Sequence, residues 1–409
     1  PSFYMTITVV KTLARLQILT GESESGVTSI INSSFRYLDK EVARQVKEMK
    51  KNEKKYKYTA IPSDELCNYV YINALLKRPE TVDISYLVDR ISKKPTELTI
   101  YGKALTAVIL KQHNKTAKAM EYLQSIKEYT VYNEEKGRYF DSRNAYYSWR
   151  DYKIPTEVAA IEALKLITPT DRQTIEEMQR WLLQEKRTQA WDTPLNSVDA
   201  VWAFMNDGKW SIDNGPQSVF KIDGSILETP KATAGLGYVK TVRSIDQNQK
   251  PVKTFTVEKT STGTSWGAVY AQFFQPVTEV AEAAAGLKVK REILTEKKTD
   301  QLKVGDKIVI RLTITADRDY DFVQLIDKRA ACLEPLNQIS GYHWGYYIAP
   351  KDYTTNYYFD LMAKGKHIIE TEYFVDREGT YQTGICTVQC AYSPEYSGRT
   401  GAVKFNVDK

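Results

Sequence analysis

Lys307-Ile308-Val309-Ile310-Arg311-Leu312-Thr313-Ile314-Thr315-Ala316 decides half of the fold. Ile308, Ile310, Leu312 and Ile314 alternate with Val309, Arg311 and Thr313. A period of two sends every second side chain to the same face, the pattern of a half-buried strand. The alternation returns downstream. Ile369, Thr371, Tyr373 and Val375 alternate with Glu370, Glu372 and Phe374; Val403, Phe405 and Val407 alternate with Lys404 and Asn406. Several such strands over about 120 residues predict an antiparallel β-sandwich.

Upstream the period changes. Val9, Leu13 and Leu16 stand at i, i+4, i+7; Phe35, Leu38, Val42 and Tyr69, Ile72, Leu76 stand at i, i+3, i+7. Comparable stripes run through Tyr101, Leu105, Val108; Ala119, Leu123, Ile126; Ala160, Leu164, Ile167; Ile175, Met178, Leu182; and Val198, Val201, Trp202, Met205. Each stripe predicts one amphipathic helix that must bury one face. Pro155-Thr156-Glu157, Thr168-Pro169-Thr170-Asp171 and Pro194-Leu195-Asn196-Ser197 supply proline and capping oxygens at helix starts. Six to eight helices of about 10–15 residues joined by short turns form antiparallel pairs. Periodicity leaves a solenoid and a closed toroid equally open. Between the two regions lies a Gly-, Thr-, Ser- and Val-rich stretch. The expected class is therefore multidomain α + β. An α/α-toroid-like helical domain spans 1–207, a β domain remnant 208–280, and a β-sandwich 281–409.

The bulk numbers agree. A chain of 409 residues exceeds one core, with 42% hydrophobic and 26% charged residues as in ordinary globular protein. A net charge of +6 gives no mandate for nucleic acid. Lys47, Lys50, Lys51, Lys54, Lys55 and Lys57, with Glu48 and Glu53 interleaved, read as a solvated helix end or a polyanion patch. The 28 tyrosines suit sandwich cores and also sugar-stacking or protein-binding surfaces. No apolar run reaches the roughly 18 residues of a membrane span. The chain starts at Pro1 inside a helical pattern, without a signal peptide, and reads as a piece of a longer protein.

Chemistry-bearing residues are few. Asp327-Lys328-Arg329-Ala330-Ala331-Cys332-Leu333-Glu334-Pro335-Leu336-Asn337 holds a Cys-Leu-Glu that looks like a thioester cysteine. A thioester needs the side-chain amide carbon of a Gln three residues on. Position 335 is Pro, so Cys332 reads as a buried strand-end residue. Cys386 and Cys390 share one face of a strand, roughly 13 Å apart, too far for a local disulfide. Together with Cys67 they leave the redox compartment undecided. His113, His343 and His367 lack metal spacing and partner motifs. Asp317, Asp319 and Asp321 alternate but lack the glycine turn of a calcium loop, and read as a solvated strand end. Gly235-Leu236-Gly237 and Gly263 are not phosphate loops. Tyr139, Phe140, Tyr146, Tyr147, Trp149 and Tyr152 surround Ser142-Arg143-Asn144 and read as an aromatic rim packed on a neighbouring domain or as a ligand contact. No catalytic, cofactor-binding or metal residues are assigned.

The order of several segments resembles a family. Pro155 to Leu164, Trp181 to Thr193 and Ser197 to Val201 resemble the last helices of the thioester-type α/α domain in bacterial alpha-2-macroglobulins. Leu302-Lys303-Val304-Gly305-Asp306-Lys307, Ala316 to Val323, Ser340-Gly341-Tyr342-His343-Trp344 and Tyr392-Ser393-Pro394-Glu395-Tyr396 are similar to that family's C-terminal macroglobulin sandwich. The long helical domain before them looks most like members from Bacteroidetes. The resemblance implies an extracytoplasmic, lipid-anchored protease inhibitor that encloses its target after bait cleavage. This chain would be its non-enzymatic C-terminal part, its partners target proteases and other macroglobulin domains. The other readings are a carbohydrate-active α/α-toroid enzyme and an aromatic-surfaced glycan- or protein-binding module.

Overall fold

Ser2 accepts a hydrogen bond from the Met5 amide and starts α1 (Phe3–Thr20); Gly21, at φ 69°, ends it. The same chemistry recurs along the chain. Ser63 caps α3 (Asp64–Leu75), Thr81 caps α4 (Val82–Ile91), Thr99 caps α5 (Ile100–Gln112) and Thr193 caps α9 (Pro194–Met205), each accepting from the amide three residues on. Between them lie α2 (Ser25–Tyr56), α6 (Thr116–Lys127), α7 (Lys153–Ile167) and α8 (Arg172–Thr188). A short hairpin, β1 (Thr130–Asn133) with β2 (Gly137–Phe140), separates α6 from α7. The computed structural model describes residues 1–94, 98–134, 136–140, 153–188, 193–206, 218–229, 240–244, 252–259, 267–272, 274–295 and 302–409.

The chain divides into two compact units, Pro1–Leu182 with Asp192–Ser265, and Leu183–Trp191 with Trp266–Lys409. In the first, α1 packs on α3, α3 on α5, α5 on α7, α7 on α9, and α1 on α9. Burial follows this order. Every residue of α5 from Ile100 to Leu110 is buried, whereas α2 buries a single stripe of Ile31, Phe35, Leu38, Val42 and Val46. A helix apolar all round is enclosed by neighbours; one with a single stripe sits at the surface. The predicted stripes of α2, α5, α6 and α8 are buried.

One stripe is on the wrong face, and a second is half right, with its Trp202 buried as expected. In α1, Val9 and Leu16 are exposed, and Ile7, Val10, Ala14 and Arg15 are buried. In α9, Val198 and Val201 are exposed, and Asn196, Asp199, Ala200, Trp202 and Ala203 are buried. Both helices are apolar on several faces, so more than one stripe fits the period. The face that goes inside is the one carrying a charge.

The first unit also holds a small antiparallel sheet, β3 (Val219–Ile222) between β4 (Ser225–Ile226) and β5 (Phe255–Glu258). The second unit holds β6 (Ala283–Ala285), β7 (Leu287–Thr295), β8 (Leu302–Lys303), β9 (Lys307–Ala316), β10 (Tyr320–Lys328), β11 (Leu333–Pro335), β12 (Gly341–His343), β13 (Tyr346–Pro350), β14 (Thr354–Met362), β15 (Gly365–Val375), β16 (Gly379–Gln382), β17 (Cys386–Cys390), β18 (Ser397–Arg399) and β19 (Lys404–Asp408). One antiparallel ladder runs β11-β15-β9-β7-β6-β18-β17-β10-β14-β13-β12. Ile308, Ile310, Leu312 and Ile314 from one end and Val323, Leu325, Tyr357 and Val388 from the other share one buried cluster. The ladder therefore folds over itself into two layers around a common core. A separate ladder, β16-β19-β8, flanks it, with Val407 in the core and Val403 exposed before the strand begins.

Close approach constrains several glycines, Gly286 and Gly398 among them. Gly286 has φ 75°, and a Cβ there would lie 2.2 Å from the Tyr320 hydroxyl. At Gly398 a Cβ would lie 2.5 Å from the Leu287 carbonyl oxygen.

Candidate functional site

The segment around Cys332 is built by Arg329. Its Nε donates to the Leu333 carbonyl at 2.9 Å, Nη1 to the Thr354 carbonyl at 3.0 Å and Nη2 to the Asp352 carbonyl at 2.7 Å. This folds residues 330–332 into a turn, with Cys332 fully buried, before β11. Burial pushes the Cys332 thiol up to about 11. Pro335 lies in β11 at the end of the ladder and pairs only with β15, where a missing N–H costs little. The residue that excludes a thioester is thus also one that an edge strand accommodates.

The remaining sequence candidates scatter. His113 ends α5 and shares a 3.2 Å hydrogen bond with Glu80. His343 is exposed on β12 and stacks on Tyr346 at 5.5 Å. His367 bonds the Ala363 carbonyl at 2.6 Å. Asp317 and Asp319 occupy the turn between β9 and β10, not a strand, and only Asp321 is in the ladder. Asp317 accepts from the Tyr320 hydroxyl at 2.5 Å and Asp319 from the Lys364 amide at 2.6 Å. Cys386 and Cys390 face the core with Val388 between them, and no cysteine is in a disulfide. Among the described residues no group of three His, Cys, Asp or Glu side chains could hold a metal ion. Of the aromatic rim, Tyr139 stacks on Trp181 at 5.9 Å and Phe140 is buried. Tyr146, Tyr147, Trp149, Tyr152, Gly235, Gly237 and Gly263 lie outside the described residues.

Two polar clusters were not anticipated. The larger sits inside the helical unit. Arg15 of α1 donates through Nη1 to Asp199 of α9, and through Nη2 to Glu162 of α7 at 3.2 Å. Its Nε reaches the Tyr71 hydroxyl of α3 at 3.2 Å. Tyr71 donates to Glu162 at 2.8 Å, and the Trp202 indole donates to the same carboxylate at 2.8 Å. The guanidinium lies 5.0 Å from the Trp202 ring centre and 5.4 Å from that of Tyr71. Lys11 approaches Asp199 at 3.6 Å. Burial opposes the Arg15 charge, but Tyr71, Asp199 and Glu162 outweigh it and hold the group above its ordinary value. Burial draws the Lys11 ammonium below its usual range despite Asp199, and drives the Tyr71 hydroxyl well upward.

Two cations and two carboxylates neutralise one another here. A cleft lined by Lys11, Asn68, Tyr101, Glu162 and Asp199 adjoins them, with about 10 Å³ of free volume, the size of one water site. No substrate fits. The cluster is a staple joining α1, α3, α7 and α9. A signal for it existed, since Arg15, Glu162 and Asp199 are lone charges inside apolar runs (Leu13-Ala14-Arg15-Leu16, Ala160-Ile161-Glu162-Ala163, Val198-Asp199-Ala200).

The second cluster is inside the sandwich. Arg291 Nη1 donates to Asp327 at 2.7 Å, and Nη2 donates to Thr383 at 2.6 Å and to the Gly384 carbonyl at 2.7 Å. Both charged side chains are almost wholly enclosed, at 2% and 1% exposure. Burial raises the Asp327 carboxyl above its ordinary range even against Arg291.

Three comparisons bear on this architecture. Residues 286–395 match the family model of the bacterial alpha-2-macroglobulin MG10 domain, the span that runs from the close-approach Gly286 through β17. No curated protein sequence matches the chain. Among solved structures, Escherichia coli alpha-2-macroglobulin activated by porcine elastase is 14% identical over 95% of this chain and 34% of its own, with a TM-score of 0.39. The trypsin-activated Escherichia coli protein is 13% identical over 100% and 28%, with a TM-score of 0.42. Native Escherichia coli alpha-2-macroglobulin from domain MG7 to the C-terminus is 14% identical over 100% and 74%, with a TM-score of 0.28. The chain thus spans about a third of the length of the first of these and less of the second. Over residues 286–395 it is similar to the bacterial alpha-2-macroglobulin MG10 domain.

Proposed function

We propose that this chain is the C-terminal part of an extracytoplasmic, alpha-2-macroglobulin-like protease trap. Residues 1–207 form an α/α toroid of the thioester-domain type, 208–280 a β domain and 281–409 the terminal macroglobulin sandwich. The observation that carries the reading is the match of residues 286–395 to the MG10 domain. The return contact of α9 on α1 supports the toroid. No described helix is long and apolar enough to cross a membrane; attachment would use a lipid on a distant segment.

The chain supplies bodies that move. A protease cuts a bait segment elsewhere, strain is released, and packed domains rearrange around the attacker. Such bodies must keep their own folds while their contacts change. The Arg15 and Arg291 staples serve that need, because each ties several elements of one unit by charge.

The test uses the longer protein that carries this chain. It is incubated with a broad-specificity protease, whose activity is then read on a small peptide and on a large protein. Retained peptide cleavage with lost protein cleavage is the expected result. If both survive, the trap reading fails. The β12–β13 hairpin, where Trp344 is 101% and Tyr342 77% exposed, then becomes the place to seek a glycan or protein ligand.

A further inference from the structure

Residues 43–58, Ala-Arg-Gln-Val-Lys-Glu-Met-Lys-Lys-Asn-Glu-Lys-Lys-Tyr-Lys-Tyr, hold seven basic and two acidic residues, a net of +5 against +6 for the whole chain. This basic run lies at the C-terminal end of α2, and its first member, Arg44, is paired with Glu41 just upstream. Lys47, Lys50, Lys51, Lys54 and Lys55 stand at i, i+3, i+4, i+7 and i+8, one face of the helix. All five are exposed.

The interleaved acids do not neutralise this face. Glu48 is 3.4 Å from Arg44, and Glu53 is held by Arg90 at 2.6 Å and by the Ala60 amide at 2.9 Å. Among the described residues Lys47, Lys51, Lys54 and Lys57 make no ion pair; Lys50 has one, with Asp83 at 3.6 Å. The helix dipole explains only part of the cluster, because its pull fades within the last turn and Lys47, Lys50 and Lys51 lie upstream. The Glu53–Arg90 pair fixes the helix end to α4, so the lysines are presented on a rigid mount.

Composition chooses the partner. Lys54 to Tyr58 are five consecutive exposed residues. Tyr56 is 62% and Tyr58 47% exposed among the lysines. Tyrosine beside lysine suits the level of phospholipid headgroups, where an amphipathic ring is half wet. We infer that the C-terminal end of α2 docks on a bilayer surface carrying anionic phospholipid, its lysines on the headgroup phosphates and Tyr56 and Tyr58 at the rim. The inference stands on the helical unit alone and is independent of the trap reading.

The test is co-sedimentation of the 409-residue chain with phosphatidylcholine vesicles in which about a third of the lipid is phosphatidylglycerol, beside pure phosphatidylcholine. Binding only to the anionic vesicles, abolished by salt, is expected. Each lysine near such a surface is worth roughly fivefold in partitioning. Lys54→Gln, Lys55→Gln and Lys57→Gln together should weaken binding about a hundredfold. Lys366→Gln, Lys404→Gln and Lys409→Gln together change net charge equally and should leave binding unaltered. Tyr56→Ser with Tyr58→Ser should weaken vesicle binding but not binding to soluble heparin. No vesicle binding, equal losses in the two lysine variants, or tighter binding to heparin or duplex DNA than to vesicles would each overturn the assignment.

Discussion

A guanidinium taken out of water must meet opposite charge, and Arg15 meets two carboxylates. Removing one partner of a buried pair leaves the others uncompensated, at about 3–5 kcal/mol. Arg15→Met should therefore lower the unfolding free energy, read by denaturant titration, by that amount. Arg15→Met with Glu162→Gln and Asp199→Asn should recover part of it. The sequence carried this site as three charges flanked by apolar residues, but nothing in one helix shows which distant charge each will meet. Arg15 and Asp199 are 184 residues apart. Cys332 is the opposite case. Its missing Gln partner was legible from Pro335 alone, and the structure adds the Arg329 turn that buries it. All four thiols are buried, and burial raises each above its ordinary value. Alkylation by iodoacetamide at neutral pH should be slow in the native chain and rapid after unfolding. A fast-reacting native Cys332 would contradict this packing.

At the scale of elements, alternation identified β9 and β15 because each presents a different chemistry to its two sides. Helical periodicity misplaced the α1 stripe and half of the α9 stripe, where apolar residues occupy several faces and the buried side carries Arg15 and Asp199. Turn residues were also hidden. Asp317 and Asp319 share the parity of a strand, and only the β9–β10 connection removes them from one. Strand crossing shows the same dependence on tertiary contact. Gly398→Ala would drive a methyl into the Leu287 backbone, and should destabilise the sandwich by about 1–3 kcal/mol in thermal unfolding. Glu53 gives a pH prediction. Its hydrogen bonds from Arg90, then from the Ala60 amide, overcome burial and lower the carboxyl to about 2. A depressed carboxylate contributes stability that is fully present above its unfolded value, near 4.3, and is lost as pH falls through about 2. Glu53→Gln should therefore flatten the acid limb of the stability profile between those values and leave its slope at neutral pH unchanged.

For the molecule as a whole, helices before strands were readable from the change of period near Gly208. The contact of α9 on α1 was not, because amphipathic helices carry the same pattern whether or not the last one meets the first. The two-layered ladder has the same character. Its halves are joined through β6 and β18, three residues each, too short to announce themselves by pattern. The proposed role in a trap rests on the match of residues 286–395 to the MG10 domain. The direct measurement is gel filtration of the longer protein after exposure to a protease, with active-site titration of the protease in each fraction. A trap predicts that the protease elutes with the protein and still titrates fully with a small active-site reagent. A protease that elutes free, or that elutes bound with its active site blocked, would contradict the account.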